Sequence, residues 1–266
     1  MGLLYLVPTP IGNYEDMTLR GVEVLKSCDF IYCMDVMKSQ GLLQYYNIER
    51  PLFCFKDNKE EILSHLNDNK KVALISDGGY VGIDIDSKYI QSYAEQNGHI
   101  VIAIPGANYL LTGLVSSGIP CDKFLYYGFL NNDVKIKEKE LESIIDFDRT
   151  LVFYEYSRYL KETLNALYKV FGNRMAVLCC NLTLDNETFV RFNLGEDVDY
   201  VDNNNKIVIV VEGAKIKAAV QKLNDLDVID HYNYYLAQGL DSKEAMKKTA
   251  KDRGVSKSDI YRIINK

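Results

Sequence analysis

Short apolar runs rich in β-branched and aromatic residues alternate along this chain with longer stretches of helical period. The runs predict strands at Leu3–Val7, Phe30–Met34, Val72–Ser76, Ile100–Ile104, Thr150–Tyr154, Met175–Cys180 and Ile207–Val211. Between them, Lys59–Asn69, Ser87–Asn97, Leu110–Ser117 and Arg158–Phe171 are long enough to serve as crossover helices. This alternation predicts an α/β architecture with a largely parallel sheet.

The pattern breaks twice. Ser117-Gly118-Ile119-Pro120 and the polar stretch Asn131–Glu140 interrupt it after four strands, and after Val211-Glu212-Gly213 the strands cease. The expected organisation is an α/β domain over 1–117, a second over 118–222 and a helical tail over 223–266. In the tail, Asp241 with Glu244 and Ser256 with Asp259 have the spacing of helix N-caps, and Gly254 stands where a helix would end. Two short helices around a Gly-containing turn make either a helix-turn-helix-like module or a plain helical hairpin.

Composition narrows the class. The 266 residues are 47% hydrophobic and 26% charged, which fits a globular protein and excludes a disordered or fibrous one. A net charge of −6 argues against a chain that coats nucleic acid or an anionic membrane with its whole surface. The charge is uneven, however: from Leu240 to Lys266 eight bases face four acids, a net of +4. The six cysteines contain no Cys-x-x-Cys pair and read as reduced core residues. The start lacks the basic and long apolar regions of a signal peptide, and no apolar run approaches the ~20 residues of a membrane span. A cytoplasmic protein is expected.

Ligands of parallel α/β sheets sit beyond the carboxyl ends of strands, so the loops there carry the candidate chemistry. Pro8-Thr9-Pro10-Ile11-Gly12-Asn13 follows the first strand, Ser76-Asp77-Gly78-Gly79-Tyr80-Val81-Gly82 the third, and Pro105-Gly106-Ala107-Asn108 the fourth. Their glycines would let backbone groups meet a ligand, and Asp77 offers a carboxylate. Neither G-x-x-x-x-G-K-[ST] nor a G-x-G-x-x-G after the first strand is present, so ATP and NAD are poorly supported. Asp84 and Asp86 could ligate a hard cation, but Asp86 or Ser87 serves equally as a helix cap, and no metal is expected. Glu155 and Arg158 read as a surface pair at a helix start.

Leu4–Asn13, with Thr18-Leu19-Arg20 and Val24-Leu25-Lys26, resembles the opening of the ribosomal small subunit methyltransferase I family, a branch of the tetrapyrrole methylase superfamily. Val72–Asp77 with Gly79, Gly82 and Ile83 is similar to that family's Ser-Asp-Ala-Gly-Thr-Pro-Gly-Ile loop, and Ile104-Pro105-Gly106 to its Ile-Pro-Gly-Pro-Ser-Ala segment. The likeness continues through Gly118-Ile119-Pro120, Phe153-Tyr154-Glu155, Leu182-Thr183 and Val211-Glu212-Gly213 to the tail. It implies a class III methyltransferase fold, with two α/β domains, a cleft between them, and a small helical module. It further implies S-adenosylmethionine as cofactor, a homodimer, and methylation of a cytidine 2′-hydroxyl in 16S rRNA, with the 30S subunit as partner and the basic tail 240–266 as its contact. Carried over by position, the donor site would comprise Pro10, Ile11, Asp77, Gly78, Tyr80, Gly82, Asn108, Tyr109, Tyr154, Cys180 and Asn181, with Asn13 and Asp35 as acceptor-side catalytic groups.

Several motifs depart from the family's. Glu-Asp-Thr-Arg is here Met34-Asp35-Val36-Met37, Tyr-His-Glu-His-Asn-Glu is Phe55-Lys56-Asp57-Asn58-Lys59-Glu60, and a Ser-Ala pair is Asn108-Tyr109. Arg-Glu-Leu-Thr-Lys has become Cys180-Asn181-Leu182-Thr183-Leu184. These changes leave open a non-catalytic binding scaffold on the same fold, or a methylase with a different acceptor.

Overall fold

A computed structural model describes residues 1–56, 58–83, 88–200, 206–215 and 218–264. The chain divides into two compact units, one comprising Met1–Gly118, Leu178–Val190 and Val201–Ile209, the other Ile119–Val177, Arg191–Tyr200 and Val210–Lys266.

In the first unit, β1 (Leu3–Val7), β2 (Phe30–Cys33), β3 (Leu52–Cys54), β4 (Lys71–Ile75) and β5 (Ile100–Ala103) form a sheet in the order β3-β2-β4-β1-β5. The pairings are parallel, with Leu4 opposite Val72 and Val101, and Ile31 opposite Leu52 and Ala73. Successive side chains point to opposite faces. Leu4, Leu6, Tyr32, Val72 and Leu74 pack with Ile62, Leu63 and Leu66 of α3 (Lys59–Asn67) and with Ile90 and Ala94 of α4 (Lys88–Gln96). The alternate set, Val7, Ile31, Cys33, Ala73 and Ile75, packs with Val22 and Leu25 of α1 (Leu19–Ser27) and Leu43 of α2 (Val36–Tyr45). Helices cover both faces, which is why these strands are unbroken apolar runs. Asp35 caps α2 by accepting from Met37 N and Lys38 N, and Asn108 caps α5 (Tyr109–Ser117) by accepting from Leu111 N. Asp84, Asp86 and Ser87, weighed above as cation ligands or caps, lie outside the described residues.

The second sheet runs β6-β7-β10-β8-β9, built from β6 (Phe124–Phe129), β7 (Thr150–Tyr156), β8 (Met175–Cys180), β9 (Thr188–Asn193) and β10 (Lys206–Val211). All seven strands expected from the apolar runs are present. The three that were not expected, β3, β6 and β9, all lie at sheet edges. Edge strands bury less, so most of their side chains are half-buried or exposed and they carry no continuous apolar signal.

The reading of Glu155 as part of a surface pair is corrected. Glu155 is buried, accepting from Thr163 Oγ1 at 2.6 Å and from Tyr156 N at 2.8 Å. Thr163, on α7 (Ser157–Phe171), in turn accepts from the fully buried Lys137 Nζ of α6 (Val134–Glu142), which also meets Glu162 Oε1 at 2.8 Å. A lysine 18 positions upstream is invisible to local spacing. Of the cysteines, Cys28, Cys33, Cys179 and Cys180 are buried, Cys54 is half-buried, and Cys121 is exposed, contrary to the core reading. Burial pushes the Cys28 thiol up to about 12 and that of Cys180 to about 11, so both stay protonated at neutral pH.

The tail forms α8 (Ala218–Asn224), α9 (Val228–Ala237), α10 (Ser242–Asp252) and α11 (Lys257–Ile264), packed around Tyr232, Tyr235, Ala245, Met246, Ala250 and Ile260. Asp241 accepts from Glu244 N, and Ser256 and Asp259 cap each other reciprocally, as their spacing predicts. Lys243, Lys247, Lys248, Lys251, Lys257 and Arg262 are exposed. Arg253 turns inward, donating to His231 Nδ1 and to the carbonyls of Leu223 and Leu226. Among the described residues no helix is long and apolar enough to cross a membrane.

Candidate functional site

The loop after β1 and the loop after β4 are stitched into one piece. Thr9 N donates to Gly79 O at 3.1 Å, Gly79 N to Thr9 O at 2.8 Å, and Thr9 Oγ1 to Ser76 O at 2.9 Å. Ser76 Oγ closes the turn by donating to Gly79 O at 2.8 Å. Gly79 sits at φ 85°, in the left-handed region that favours glycine.

Two tyrosines bring in the β5 loop and the start of α5. Gly106 N donates to Tyr80 Oη at 2.9 Å, and Tyr109 Oη donates to Ile11 O at 2.8 Å. The Tyr109 ring packs closely on Gly78, where a Cβ would stand 3.3 Å from both that ring and Pro10 O. Lys206 Nζ lies 4.5 Å from the centroid of the same ring. The glycines therefore make room first for protein: Gly78 for Tyr109, Gly106 for Pro8, and Gly12 for Leu182 and Thr183.

The segment after β8 completes the cluster. Asn13 N donates to Thr183 Oγ1 at 3.0 Å, and Thr183 N to Glu187 Oε1 at 2.9 Å. Asn181 and Thr183 adopt φ 54° and 66°, unusual for non-glycine residues, and hold this loop in a tight winding against Gly12.

Asp77 is the carboxylate at the centre. It accepts from Asp35 N at 3.1 Å, and Lys38 Nζ stands 3.9 Å from its other oxygen. Burial raises its pKa above the ordinary aspartate value, while Lys38 and the Asp35 N–H pull it back down. Thr9, Pro10, Ile11, Lys38, Ser76 and Asp77 are among the walls of a cavity of about 210 Å³.

Of the residues expected at the site, the first unit gathers Pro10, Ile11, Asn13, Asp35, Asp77, Gly78, Tyr80, Asn108 and Tyr109 on these linked loops. Asn13 and Asp35 each use a side-chain oxygen as a cap, Asn13 for the 3-10 turn Tyr14–Asp16 and Asp35 for α2. Gly82 is exposed at φ 96°, and Cys180 and Asn181 are buried at the end of β8 and just after it. Tyr154 belongs to the other unit, where it packs edge-on against Tyr126 and Phe129. Sequence reasoning missed Lys38 and Thr183. Lys38 directly follows Met34-Asp35-Val36-Met37, where nothing local ties it to Asp77, and Thr183 is 170 positions from the loop it holds.

The group that the sequence resemblance implies, S-adenosylmethionine, ends in an amino acid with one ammonium and one carboxylate. Asp77 and Lys38, an acid and a base on the wall of one cavity, match that zwitterion in charge.

Residues 3–197 match the family model of the Tetrapyrrole (Corrin/Porphyrin) Methylases. The chain belongs to this family of S-adenosylmethionine-dependent methyltransferases. It is 38% identical over 273 residues to the Ribosomal RNA small subunit methyltransferase I of Bacillus subtilis (strain 168), covering 98% of this chain and 93% of that protein. Among solved structures, the methyltransferase CobJ aligns with a TM-score of 0.61 at 17% identity, over 80% of this chain and 95% of that one. Uroporphyrin-III C-methyl transferase from Thermus thermophilus, complexed with S-adenyl homocysteine, aligns with a TM-score of 0.55 at 18% identity, over 79% and 92%.

Proposed function

We propose that this methyltransferase acts on 16S rRNA in the 30S subunit, at the 2′-hydroxyl of a cytidine, as a cytoplasmic homodimer. The observation that carries the reading is likeness along 98% of the chain to a ribosomal RNA small subunit methyltransferase, tail included. The six exposed bases of the tail support a role in docking rRNA, which would give the interaction a steep salt dependence.

S-adenosylmethionine, when bound, supplies a methyl group on an electrophilic sulfonium. The residues that would hold it are those of the linked loops, Pro10, Ile11, Asp77, Gly78, Tyr80, Gly82, Asn108 and Tyr109, with Cys180 at the end of β8 and Asn181 just after it. Asp77 is the anchor for its ammonium and Lys38 for its carboxylate. Displacement at a methyl carbon is in line, so the protein's main task is orientation and exclusion of water. The bonds from Thr9 to Gly79 and from Tyr109 to Ile11 provide that rigidity. Asn13 and Asp35 hold the acceptor side, through the 3-10 turn and the α2 start that they cap.

The test incubates protein, labelled donor and 30S subunits lacking the modification. Label should enter 16S rRNA, and silence over several preparations refutes the reading. Calorimetric titration with donor should show binding that Asp77→Asn weakens by roughly 10- to 100-fold, the scale of a charge-assisted hydrogen bond. A second reading, a non-catalytic scaffold, is favoured by one feature, the Tyr109 ring set against Gly78. Donor binding seen only in Tyr109→Ala would establish it.

A further inference from the structure

Beside the linked loops the first unit carries a tyrosine cluster that the chemistry above does not use. Tyr14 and Tyr45 meet edge to face with centroids 5.5 Å apart, and Tyr45 meets Tyr46 at 5.0 Å. Tyr46 Oη donates to Tyr14 O at 2.6 Å, which pins the backbone of the 3-10 turn to α2. Gly41, in the middle of α2, makes the seat: a Cβ there would stand 3.0 Å from Tyr14 Oη. Glycine is disfavoured inside a helix, so its place here goes with the ring above it. Tyr14 is nevertheless 40% exposed and Tyr45 52%, which is not how rings serving a core are held.

These rings border a concavity of about 460 Å³ that also exposes Asn13 and Thr183, and it shares Gly12 and Tyr14 with the cavity of Asp77 and Lys38. Glu15 and Asp185 on its wall are wrong for phosphate and acceptable for an uncharged ring.

We propose that Tyr14 and Tyr45 form the stacking platform for a base of the substrate RNA, splayed out of its strand. This rests on the reading of the protein as an rRNA methyltransferase. Single-stranded bases are bound in this way, on exposed aromatic faces beside hydrogen-bonding side chains.

The experiment measures KM and kcat of Tyr14→Ala, Tyr45→Ala and Tyr14→Phe on unmodified 30S subunits. It adds quenching of a single-stranded RNA oligonucleotide carrying 2-aminopurine, and sedimentation. Each alanine variant should raise KM for 30S subunits by roughly 5- to 150-fold, the worth of one base–aromatic stack, and weaken quenching, and Tyr45→Ala, whose ring does not line the donor cavity, should leave KM for the donor unchanged. Tyr14→Phe, which keeps the ring, should restore both. Tyr45→Ala serves if Tyr14→Ala does not fold, because Tyr45 is the more exposed ring. An active wild type whose alanine variants keep their KM overturns the platform, as does a change of oligomeric state with KM intact, which would make the rings a protein contact. Failure of the wild type to methylate 30S subunits would count against the functional reading alone, since quenching reports stacking separately.

Discussion

Replacing Gly12 by alanine tests whether the β1 loop and the segment after β8 are held together as described. The added Cβ would lie 2.6 Å from Leu182 O, 2.7 Å from Thr183 Oγ1 and 3.0 Å from the Leu184 side chain. Carbon contacts are comfortable only from about 3.5 Å, so the two loops must part by nearly an ångström. Relief by the Leu184 side chain is available, but relief from Leu182 O requires backbone to move. Overpacking of this kind costs about 1–3 kcal/mol. Parting also breaks the bond from Asn13 N to Thr183 Oγ1, another ~0.5–1.5 kcal/mol. Gly12 is not among the positive-φ glycines, so alanine adds no left-handed strain and recovers ~0.4–1 kcal/mol by restricting the unfolded chain. The net expectation is a loss of about 0.5–4 kcal/mol, read by urea unfolding as a lower midpoint at unchanged m-value. Thr183→Ala removes one of the clashing atoms, so the double variant should cost measurably less than the sum of the singles. A Gly12→Ala protein within ~0.5 kcal/mol of wild type, with no coupling to Thr183, would refute the reasoning.

Two further predictions concern the second unit. His231 is fully buried, and its pKa is lowered by burial and by Arg253, against the opposing pull of Asp252. The unfolded chain takes up that proton near pH 6.5 while the fold resists it, so stability should be full above about pH 6.5 and fall as pH drops below it. Thermal melts from pH 7.5 to 5 should show this slope in wild type and a flatter one in His231→Gln, and parallel curves would contradict the assignment. Lys137→Met should destabilise by about 1–3 kcal/mol, because it removes the buried donor of Thr163 Oγ1 and the cation paired with Glu162. In the same denaturation assay Glu162→Gln alone should cost less, since Glu162 is half exposed and Lys137 keeps Thr163, and a Lys137→Met protein as stable as wild type would contradict the assignment.

The strands and the loops that follow them were legible because local chemistry writes them. Val72–Ser76 and Ile100–Ile104 are apolar on both faces, and turn residues come at once after them. The tail caps were legible for the same reason, since Asp241 and Ser256 find their partners three residues on. Glu155 was misread because its partner Thr163 lies eight residues on, inside α7, and is itself held by Lys137 from a helix upstream. Lys38 was passed over because nothing in the run after Asp35 tells that Asp77, from another strand's loop, will lie beside it.

The sequence by itself determined the α/β alternation, the six interior strands and the edge strand β5, the three Gly-bearing loops and the family likeness. These depend on neighbours a few residues apart, or on motifs read in a line. Only the tertiary structure decided what the loops do to one another. Parallel pairing of β1 with β4 sets Thr9 against Gly79, and the return of the chain after β8 sets Thr183 against Asn13. It likewise decided that Gly12, Gly78 and Gly106 yield their space to Leu182, Tyr109 and Pro8. Such pairings join residues up to 170 positions apart, and contacts of that range exist only once the strands have paired and the helices have closed over both faces of the sheet.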